Sequence, residues 1–464
     1  MRRPATELPG YRSGRNSPTP SPIWRAARHP AIVLTYGFAA LIAAGAVSLT
    51  LPIAQADGRW TPLLDALFTA TSAVCVTGLV VVDTGTYWSP LGQAIILALV
   101  QVGGLGFMTC SIVTLSLIGR RATLRDQLVL RDALGGGTIG SLTMLARKVV
   151  AFTLGVELLG AVMLAGYFAG EMGFMRAAWW GLFHAVSAFN NAGFDLSGGY
   201  RSLIPYSHDP FVLLTIAGLV ILGGISYPVV EELVVRRRFS ALTLNSKLTV
   251  VGTLALLVAG TVALLIVERQ NDGTLGSMDA ATRLLNAFFH SVVARTAGYH
   301  AVDVGLLTEG GLLVLIALMF VGGATGSTAG GIKVQTFGLL ASATISTIRG
   351  HPDVRAFGRS VPTSDVLRAV AVTMLALTTV LLGAFTLNLT ERATFLRELF
   401  EVVSAFATVG LSAGLTPETT PAGRVLLILL MFAGRLGPLT LMSALAARER
   451  RVAYRLPEAS VRIG

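Results

Sequence analysis

A twelve-residue frame that begins with Phe and has Gly in its eleventh slot occurs four times along this chain. The copies are FTATSAVCVTGL (68–79), FHAVSAFNNAGF (183–194), FFHSVVARTAGY (288–299) and FEVVSAFATVGL (400–411). Their slot-eleven glycines, Gly78, Gly193, Gly298 and Gly410, are 115, 105 and 112 residues apart. Each frame is a short apolar run that ends in small residues, and it lies between longer apolar segments. A membrane chain that repeats one re-entrant unit four times can close a ring around a pore.

The composition excludes a water-soluble globular domain. Hydrophobic residues make up 53% of the chain, charged residues only 13%, and the mean hydropathy is +0.69. The segment 31–53 contains 23 residues without a charge, which is enough to cross about 30 Å of hydrocarbon. Together with similar runs it predicts eight membrane crossings, paired around the four frames, with the other seven near 90–118, 149–169, 211–235, 249–267, 311–347, 367–389 and 424–446.

The net charge of +11 is explained by membrane topology rather than by nucleic-acid binding. If the N-terminus is inside and the chain crosses eight times, 27 Lys and Arg and 10 Asp and Glu fall on the inner side. The outer side holds 9 basic and 15 acidic residues, so +17 inside and −6 outside sum to +11. This positive-inside pattern predicts that both termini are cytoplasmic. We expect a basic cytosolic tail at the N-terminus rather than a cleaved signal peptide.

Few residue clusters point to metal or enzyme chemistry. Cys75 and Cys110 are the only cysteines, too few for a disulfide framework or a thiolate metal site. His184 and His290 occupy nearly matching slots of their frames, and hydrogen-bonded buried histidines are the more frequent outcome for such positions. An intramembrane enzyme finds no support, because no Ser–His pair has a nucleophile context and no paired intramembrane acids suggest a carboxylate dyad. We therefore expect no enzymatic activity, no covalent cofactor and no nucleic-acid partner.

The repeat unit reads as long helix, short helix, irregular stretch and long helix. The predicted fold class is an all-α membrane protein with four tandem helix–pore loop–helix repeats around one pseudo-fourfold pore. The repeats are assigned to 30–119, 147–236, 247–348 and 366–447. They are separated by basic cytosolic linkers and flanked by cytosolic tails, with tails at 1–29 and 448–464 and linkers at 120–146, 237–246 and 349–365.

The short helices, such as 63–74 and 395–407, hold about a dozen residues and reach roughly halfway through the bilayer. Non-helical backbone at that depth must be buried in protein or face a water-filled cavity. A glycine there adopts positive φ without steric cost, which lets consecutive carbonyls point the same way. Four such stretches around one axis would replace the hydration shell of a monovalent cation. The alternative is that the frames are loops that pack large transporter helices.

At this point the chain resembles the Trk/Ktr/HKT superfamily of cation transporters, whose single chain carries four linked M1–P–M2 units. The resemblance covers 30–447 and lies in VTGL (76–79), FNNAGFDL (189–196), ARTAGY (294–299) and SAFATVGLSAGL (404–415). It extends to QVGGLGFMT (101–109), GGATGSTAGGIK (322–333) and MFAGRLGPLT (431–440). The first long helix follows the basic tail directly. In this respect the chain is more similar to the Ktr-type membrane subunit (KtrB/TrkH-like) than to the longer Trk-type subunit.

The resemblance implies K⁺ uptake through a carbonyl-lined selectivity filter with one filter glycine per repeat. In relatives that admit Na⁺ a Ser tends to replace the first of these glycines, so Gly78 favours K⁺. Cys75, Tyr299 and His300 depart from the usual pattern, which puts conductance and fine selectivity in question. The filter candidates are Cys75, Val76, Thr77, Gly78, Asn190, Asn191, Ala192, Gly193, Arg295, Thr296, Ala297, Gly298, Ala407, Thr408, Val409 and Gly410. We expect Arg295 to pair with an acid or carbonyl behind the filter, and Glu401 to brace the filter or stabilise a loop.

The long segment of the third repeat is interrupted by GGATGSTAGG (322–331). Five glycines in ten residues cost a regular helix about 1 kcal/mol each relative to Ala. This segment is predicted to lie below the filter as a movable gate, and a static kink is the alternative. The gate candidates are Gly322, Gly323, Gly326, Ser327, Thr328, Gly330, Gly331, Lys333 and Arg435.

Arg435 stands in an otherwise apolar segment, and an intramembrane arginine is a functional candidate by default. We expect it to meet carbonyls of the 322–331 loop and to help set the barrier for ions. A structural salt bridge, with Glu157 or another acid, is the alternative.

The main interpretation is K⁺ uptake across the bacterial inner membrane. A sodium-permeable or weakly selective cation channel or symporter, and a non-conducting sensor, are the competing ones. The resemblance further implies a homodimer on a cytosolic ring of nucleotide-binding regulatory subunits (KtrA/TrkA-like). The sequence leaves open whether Na⁺ activates transport and whether transport is channel-like or coupled.

Overall fold

The computed structural model describes the backbone of residues 30–119 and 139–447 and the side chains of 35–109 and 144–437. The two tails and most of the first linker, which the sequence assigns to the cytosol, lie outside the described residues. Within these ranges every repeat contains a long first helix, a short second helix and a long or broken last helix.

The helices follow the order that the sequence predicts. Repeat one comprises α1 (Pro30–Thr50), α2 (Leu63–Val74), the single turn α3 (Thr84–Tyr87) and α4 (Pro90–Gly119). Repeat two comprises α5 (Ile139–Met172), α6 (Phe174–Phe189), α7 (Pro210–Gly224) and α8 (Tyr227–Arg236). Repeat three comprises α9 (Leu244–Val267), α10 (Ala280–Val293), α11 (Glu309–Phe320) and α12 (Val334–Ile348). Repeat four comprises α13 (Thr363–Thr390), α14 (Phe395–Phe406) and α15 (Pro421–Ala447).

Two of the expected crossings are broken. Among the described residues, α4, α5, α9 and α13 alone are long and apolar enough to cross a membrane, and the pair α7 and α8 adds a fifth. That pair is bent by 97° just after Gly223 and Gly224. The last helix of repeat three is divided into α11 and α12 by the glycine-rich loop. The break in repeat three was predicted from the sequence, whereas the break after Gly224 divides a crossing that hydropathy predicts as continuous.

Two boundaries differ from the sequence assignment. Helix α5 begins at Ile139, within the stretch assigned to the first linker. The third linker contains a hairpin, in which β1 (Val354–Ala356) pairs antiparallel with β2 (Arg359–Val361). Its two turn residues, Phe357 and Gly358, have φ of 49° and 75°, which is the conformation that two-residue hairpin turns require. This hairpin is a short exception within a described chain that is otherwise helical, so the predicted all-α fold class is confirmed.

Acidic and hydroxyl side chains form hydrogen bonds at the points where several helices begin. Asp279 caps α10 by accepting hydrogen bonds from the backbone N–H groups of Ala281 and Thr282, which satisfies donors that the first helical turn leaves free. Glu268, at the end of α9, accepts from the N–H and hydroxyl of Thr308 at the start of α11. Glu391, at the end of α13, does the same with Thr420 before α15. Repeats three and four therefore share the same contact, between a Glu at the end of the first helix and a Thr just before a later helix.

Polar contacts join each repeat to the next. Trp179 Nε1 donates to Gln93 Oε1 at 2.9 Å between repeats two and one. Asn286 Nδ2 donates to the Ser207 carbonyl at 2.8 Å between repeats three and two. Arg397 donates to the Gly305 carbonyl between repeats four and three. The ring is completed by a 2.5 Å ion pair between Arg424 of α15 and Asp65 of α2.

We expect Asp65→Ala to lower the free energy of unfolding by about 1–3 kcal/mol, because it leaves a largely buried guanidinium without its anion. The side chains of Arg424 and Asp65 are only 21% and 15% exposed. Chemical unfolding of the purified protein in detergent measures the change. Lys148→Ala is the control: its pair with Glu231 is 47% and 33% exposed, and it should change stability by less than about 0.5 kcal/mol. Equal effects of the two substitutions would contradict a ring-closing role for Asp65.

Candidate ion-selective filter and its gate

The four frames form quasi-equivalent turns at the ends of the short helices. Slot nine, occupied by Val76, Asn191, Thr296 and Thr408, has φ between 52° and 82° in all four. The slot-eleven glycines Gly78, Gly193, Gly298 and Gly410 have φ between 70° and 95°. Glycine adopts such angles freely, but β-branched residues do so only at a cost of about 1–3 kcal/mol when the surroundings impose it. The sequence predicted the glycine conformation but gave no sign of slot nine.

The four glycines form a closed ring. A Cβ placed on Gly78 would lie 2.3 Å from the Ala192 carbonyl oxygen, and one on Gly193 would lie 2.6 Å from that of Ala297. A Cβ on Gly298 would lie 2.5 Å from the Val409 oxygen, and one on Gly410 would lie 2.2 Å from the Thr77 oxygen. Each slot-eleven glycine therefore packs against the slot-ten carbonyl of the next repeat, in the order one, two, three, four and back to one. Any larger side chain would collide with that carbonyl.

Side chains of the short helices hold the turns in place. Ser72 accepts a hydrogen bond from the Gly78 N–H at 3.0 Å, and Ser404 accepts from the Gly410 N–H at 3.1 Å. In repeat two, the Ser187 hydroxyl donates to the Phe194 carbonyl at 2.8 Å. These hydroxyls satisfy backbone groups that have no helix or strand partner, as buried polar backbone requires.

The residues that follow the filter are also braced from the short helices. His184 and His290 are buried, and each imidazole accepts a backbone N–H at Nε2, from Leu196 and Ala301 respectively. Both Nδ1 atoms contact the carbonyl four residues earlier in the helix, so both histidines are hydrogen-bonded structural residues, as the sequence analysis expected. Glu401 fills this role in repeat four by accepting from the Ala413 N–H at 3.0 Å.

The outer mouth is tied together by the loop after the second filter turn. Asp83 of repeat one accepts from the Tyr200 N–H at 2.8 Å, and the Tyr200 carbonyl contacts His300 Nε2 at 3.2 Å. Burial lowers the pKa of the His300 imidazole and raises the pKa of the Tyr200 phenol, so both side chains are favoured in their neutral forms. Tyr299, another departure from the family pattern, donates to the Phe194 carbonyl at 3.1 Å and links two filter turns.

Slot eight differs in every repeat. Cys75 and Ala407 are buried small residues. Arg295 donates to the Gly322 carbonyl at 3.0 Å, the kind of contact behind the filter that the sequence analysis expected. Asn190 donates to Glu157 and to Gln101. Slots nine to eleven of the four frames carry the remaining filter candidates, and those of slots ten and eleven meet in the closed ring.

The glycine-rich segment 322–331 forms a compact loop, here called the gate loop. Its ends meet where the Gly322 N–H donates to the Ile332 carbonyl at 2.9 Å, next to a bridge between Val321 and Ile332. Gly326 and Gly331 have φ of 79° and 64°, and the Ser327 hydroxyl donates to the Ala324 carbonyl inside the loop. A closed loop of this kind is a compact unit that is packed by its own atoms.

The gate loop packs directly against the fourth filter turn. A Cβ placed on Gly330 would lie 1.9 Å from the Thr408 hydroxyl and 2.6 Å from the Ala407 carbonyl. Thr328 donates through its hydroxyl to the carbonyls of Phe189 and Gly223. Gly323 packs against Ala329 and against the Gly224 carbonyl. The loop therefore contacts repeats two and four, although it belongs to repeat three.

Two basic side chains hold the gate loop by hydrogen bonds. Lys333 Nζ donates to the Ala329 carbonyl at 2.6 Å, and Arg435 donates through Nη1 to the Thr328 carbonyl. Both also lie over the Phe107 ring of repeat one, at 5.6 Å and 4.3 Å from its centroid, within the range of cation–π attraction. The carboxylate of Glu157 instead accepts from Asn190 and Gln101, so the alternative of an Arg435–Glu157 salt bridge is wrong.

The inner helices approach the filter closely because of their glycines. A Cβ on Gly103, Gly223 or Gly434 would lie 2.1, 1.7 or 1.7 Å from the last carbonyl of the short helix in its own repeat. These carbonyls belong to Val74, Phe189 and Phe406. Close helix packing accounts for these glycines.

A ring of four glycine turns on short helices, closed below by a loop, defines a multi-pass helical membrane protein of the ion-transporter class. The sequence matches the TrkH family of cation transport proteins over residues 17–450. The chain belongs to this family.

Individual relatives agree with this assignment. The chain is 41% identical to the Ktr system potassium uptake protein B of Bacillus subtilis over 91% of its length and 94% of the relative. It is 37% identical to the potassium/sodium uptake protein NtpJ of Enterococcus hirae, over 94% of this chain and 97% of that one. The crystal structure of the potassium transporter TrkH from Vibrio parahaemolyticus shares the fold, with a TM-score of 0.69 at 18% identity, over 89% of this chain and 83% of that chain.

We expect Gly410→Ala to destabilise the protein by at least about 2 kcal/mol, because positive φ and a clash with a backbone carbonyl act together. Gly410 has φ of 95° and its added Cβ would lie 2.2 Å from the Thr77 oxygen. Gly155→Ala is the matched control, since nothing lies within 4 Å of its added Cβ and Ala favours a helix by about 1 kcal/mol. Thermal unfolding in detergent compares the two. A Gly410 variant as stable as the control would be incompatible with the glycine ring.

Proposed function

We propose that this protein takes up K⁺ across the bacterial inner membrane through the ring of slot-ten and slot-eleven backbone. The observation that carries the proposal is the closed contact order Gly78, Gly193, Gly298 and Gly410, which places four equivalent carbonyls at one axis. Backbone carbonyls in such rings replace the hydration shell of K⁺. The named function of relatives that match nearly the whole chain supports the same ion.

Transport in this proposal involves no chemical step. Ions lose water at the outer mouth, pass the sixteen filter residues of slots eight to eleven, and move inward along the membrane potential. That potential contributes about 2.3 kcal/mol per charge per 100 mV. The gate loop lies across the inner end of this path, held by Arg435 and Lys333, and ions pass only after it moves.

The orientation and assembly follow from the same proposal. Both termini are cytoplasmic, because the basic linkers then lie inside. The relatives are named as proteins of a Ktr system, which supports a membrane subunit that works with a cytosolic nucleotide-binding ring, as a homodimer. Na⁺ as an activating ion belongs to this proposal as well, since one relative is named a potassium/sodium uptake protein.

A sodium-permeable transporter is the second candidate, and the same named relative favours it. The glycine at slot eleven of the first frame supports K⁺ instead. Equal permeability to K⁺ and Na⁺ would select the second candidate.

We expect the protein to restore growth of a K⁺-uptake-deficient bacterium at limiting K⁺, and to pass K⁺ at least about tenfold faster than Na⁺ in proteoliposomes, because carbonyl rings bind K⁺ in preference to Na⁺. Growth is compared with and without Na⁺ and a regulatory ring subunit. Gly155→Ala serves as the positive control for expression. A folded, membrane-inserted protein that neither restores growth nor passes either ion would reject transport and leave a non-conducting sensor.

We expect Arg435→Ala to raise K⁺ flux by about tenfold, because it removes a charge-assisted hydrogen bond to the gate loop, worth about 1.5–3 kcal/mol, and a positive charge below the filter. Flux in proteoliposomes measures the change, and Arg435→Lys, which keeps the charge over Phe107, should show a smaller one. Unchanged flux in the Ala variant would remove Arg435 from the gate.

A further inference from the structure

Three polar side chains meet behind the second filter turn and are here called the amide–carboxylate cluster: Gln101, Glu157 and Asn190. Asn190 Nδ2 donates to Glu157 Oε1 at 2.8 Å and to Gln101 Oε1 at 2.9 Å. Gln101 Nε2 donates to Glu157 Oε2 at 2.9 Å. The cluster joins α4 of repeat one, α5 of repeat two and the filter itself.

Glu157 is the member of this cluster whose burial costs the most free energy. It lies within a segment of α5 that is long and apolar enough to cross the membrane, and it is 3% exposed. An acid in such a position is expensive and marks a functional role by default. Both of its oxygens face amide N–H donors, an arrangement that suits the acceptor-only carboxylate rather than the protonated acid.

The cluster fixes the conformation of a filter residue. Asn190 ends α6 in the right-handed helical region, with φ of −74° and ψ of −3°, and Asn191 follows with φ of 58°. The Asn190 amide also donates to the Val186 carbonyl at 2.9 Å. On its other side its Oδ1 packs against α4, where a Cβ on Gly104 would lie only 2.0 Å away. The side chain is thus clamped between two repeats.

Repeat two is anchored differently from its neighbour. In repeat three the slot-eight residue is Arg295, which donates to the Gly322 carbonyl of the gate loop. In repeat two the slot-eight residue instead bonds to a carboxylate in α5. The residues behind adjacent quarters of the filter are therefore an acid in repeat two and a base in repeat three.

We propose that Glu157 is a positioning residue for ion selection, which holds Asn190 through the amide–carboxylate cluster and places negative charge behind the second quarter of the filter. The proposal rests on the function proposed above. A filter that discriminates between K⁺ and Na⁺ needs its carbonyls held in place, since the ions differ in size and in the ligand field that they require. A hydrogen bond to a charged acceptor is about twice as strong as a neutral one, which is the added restraint that Glu157 gives to Asn190.

The test measures K⁺ and Na⁺ flux in proteoliposomes and, independently, K⁺ and Na⁺ binding by titration calorimetry in detergent. Glu157→Gln keeps the size of the side chain and removes its charge. We expect it to lower the K⁺-over-Na⁺ ratio about tenfold in both measurements, as expected when a charge-assisted hydrogen bond is replaced by a neutral one. The double variant Q101E/E157Q returns the carboxylate to the cluster from the other helix, and we expect it to restore the ratio to within about threefold.

Glu268→Gln is the matched control. Glu268 is as deeply buried and also has several hydrogen-bond partners, among them Asn271 and Thr274, but it lies at the outer end of α9. It should change stability without changing the ion ratio. An unchanged ratio in folded Glu157→Gln, or an equal loss in Glu268→Gln, would overturn the proposal. If Glu157→Gln does not fold, the ratio of Q101E/E157Q decides in its place, and a ratio at the level of a nonselective channel would overturn the proposal.

Failure of this inference is distinct from failure of the proposed function. A wild-type protein that binds and passes K⁺ no better than Na⁺ rejects K⁺ uptake itself. A selective wild-type protein with an equally selective Glu157→Gln variant rejects only the role of Glu157.

Discussion

Satisfaction of backbone polar groups at membrane depth is the constraint on which the rest of this structure depends. Four helices are short and two others break, and each interruption leaves N–H and C=O groups that lipid cannot pair. The interruptions pair with one another instead. The Ala324 and Thr328 N–H groups donate to the carbonyls of Gly224 and Gly223, where α7 ends. The broken helix of repeat two and the broken helix of repeat three therefore complete each other, and the gate loop can lie at that depth because α7 ends there.

The sequence was sufficient for the parts of the fold that depend on periodicity and on glycine. Frame spacing predicted the four turns, and apolar runs predicted the order of the helices. It could not predict the strained slot nine, because Val76, Asn191 and Thr408 have no common chemistry and their φ is imposed by the neighbouring turns. It also missed Gln101, and it named Glu157 only as an alternative partner of Arg435, whose expected contact with the gate-loop backbone is the one observed. Intramembrane partners depend on how helices rotate against one another, which single-chain periodicity does not contain. The hairpin at 354–361 was missed because Phe–Gly is an uncommon two-residue turn.

The four filter turns are similar in their backbone but differ in the side chains behind them. Slots nine and eleven have positive φ in all four repeats, and the inner glycines of three repeats approach the same carbonyl of their short helices. Slot eight, directly behind, carries Cys75, Asn190, Arg295 or Ala407. The short helix of the third frame, α10, ends one slot earlier than the other three short helices, at Val293. A closed ring requires the same backbone conformation in each repeat. The surroundings of the four quarters differ, because some face lipid and others contact the gate loop, so each quarter needs a different slot-eight side chain.

The charges around the proposed path have an order that follows from these supports. On its inner side stand Arg435 and Lys333, which share the Phe107 ring and hold the gate loop. Within the described residues, Arg435 Nε and Nη2 have no hydrogen-bond partner, so part of its positive charge is unneutralised by direct contact. Behind the second quarter of the filter stands the carboxylate of Glu157. In the proposed function, a cation held in the filter is favoured, whereas one that moves inward meets like charge until the gate loop and Arg435 move together. Because the same hydrogen bond to the Thr328 carbonyl positions both the charge and the loop, we propose that one movement removes both the electrostatic and the steric barrier.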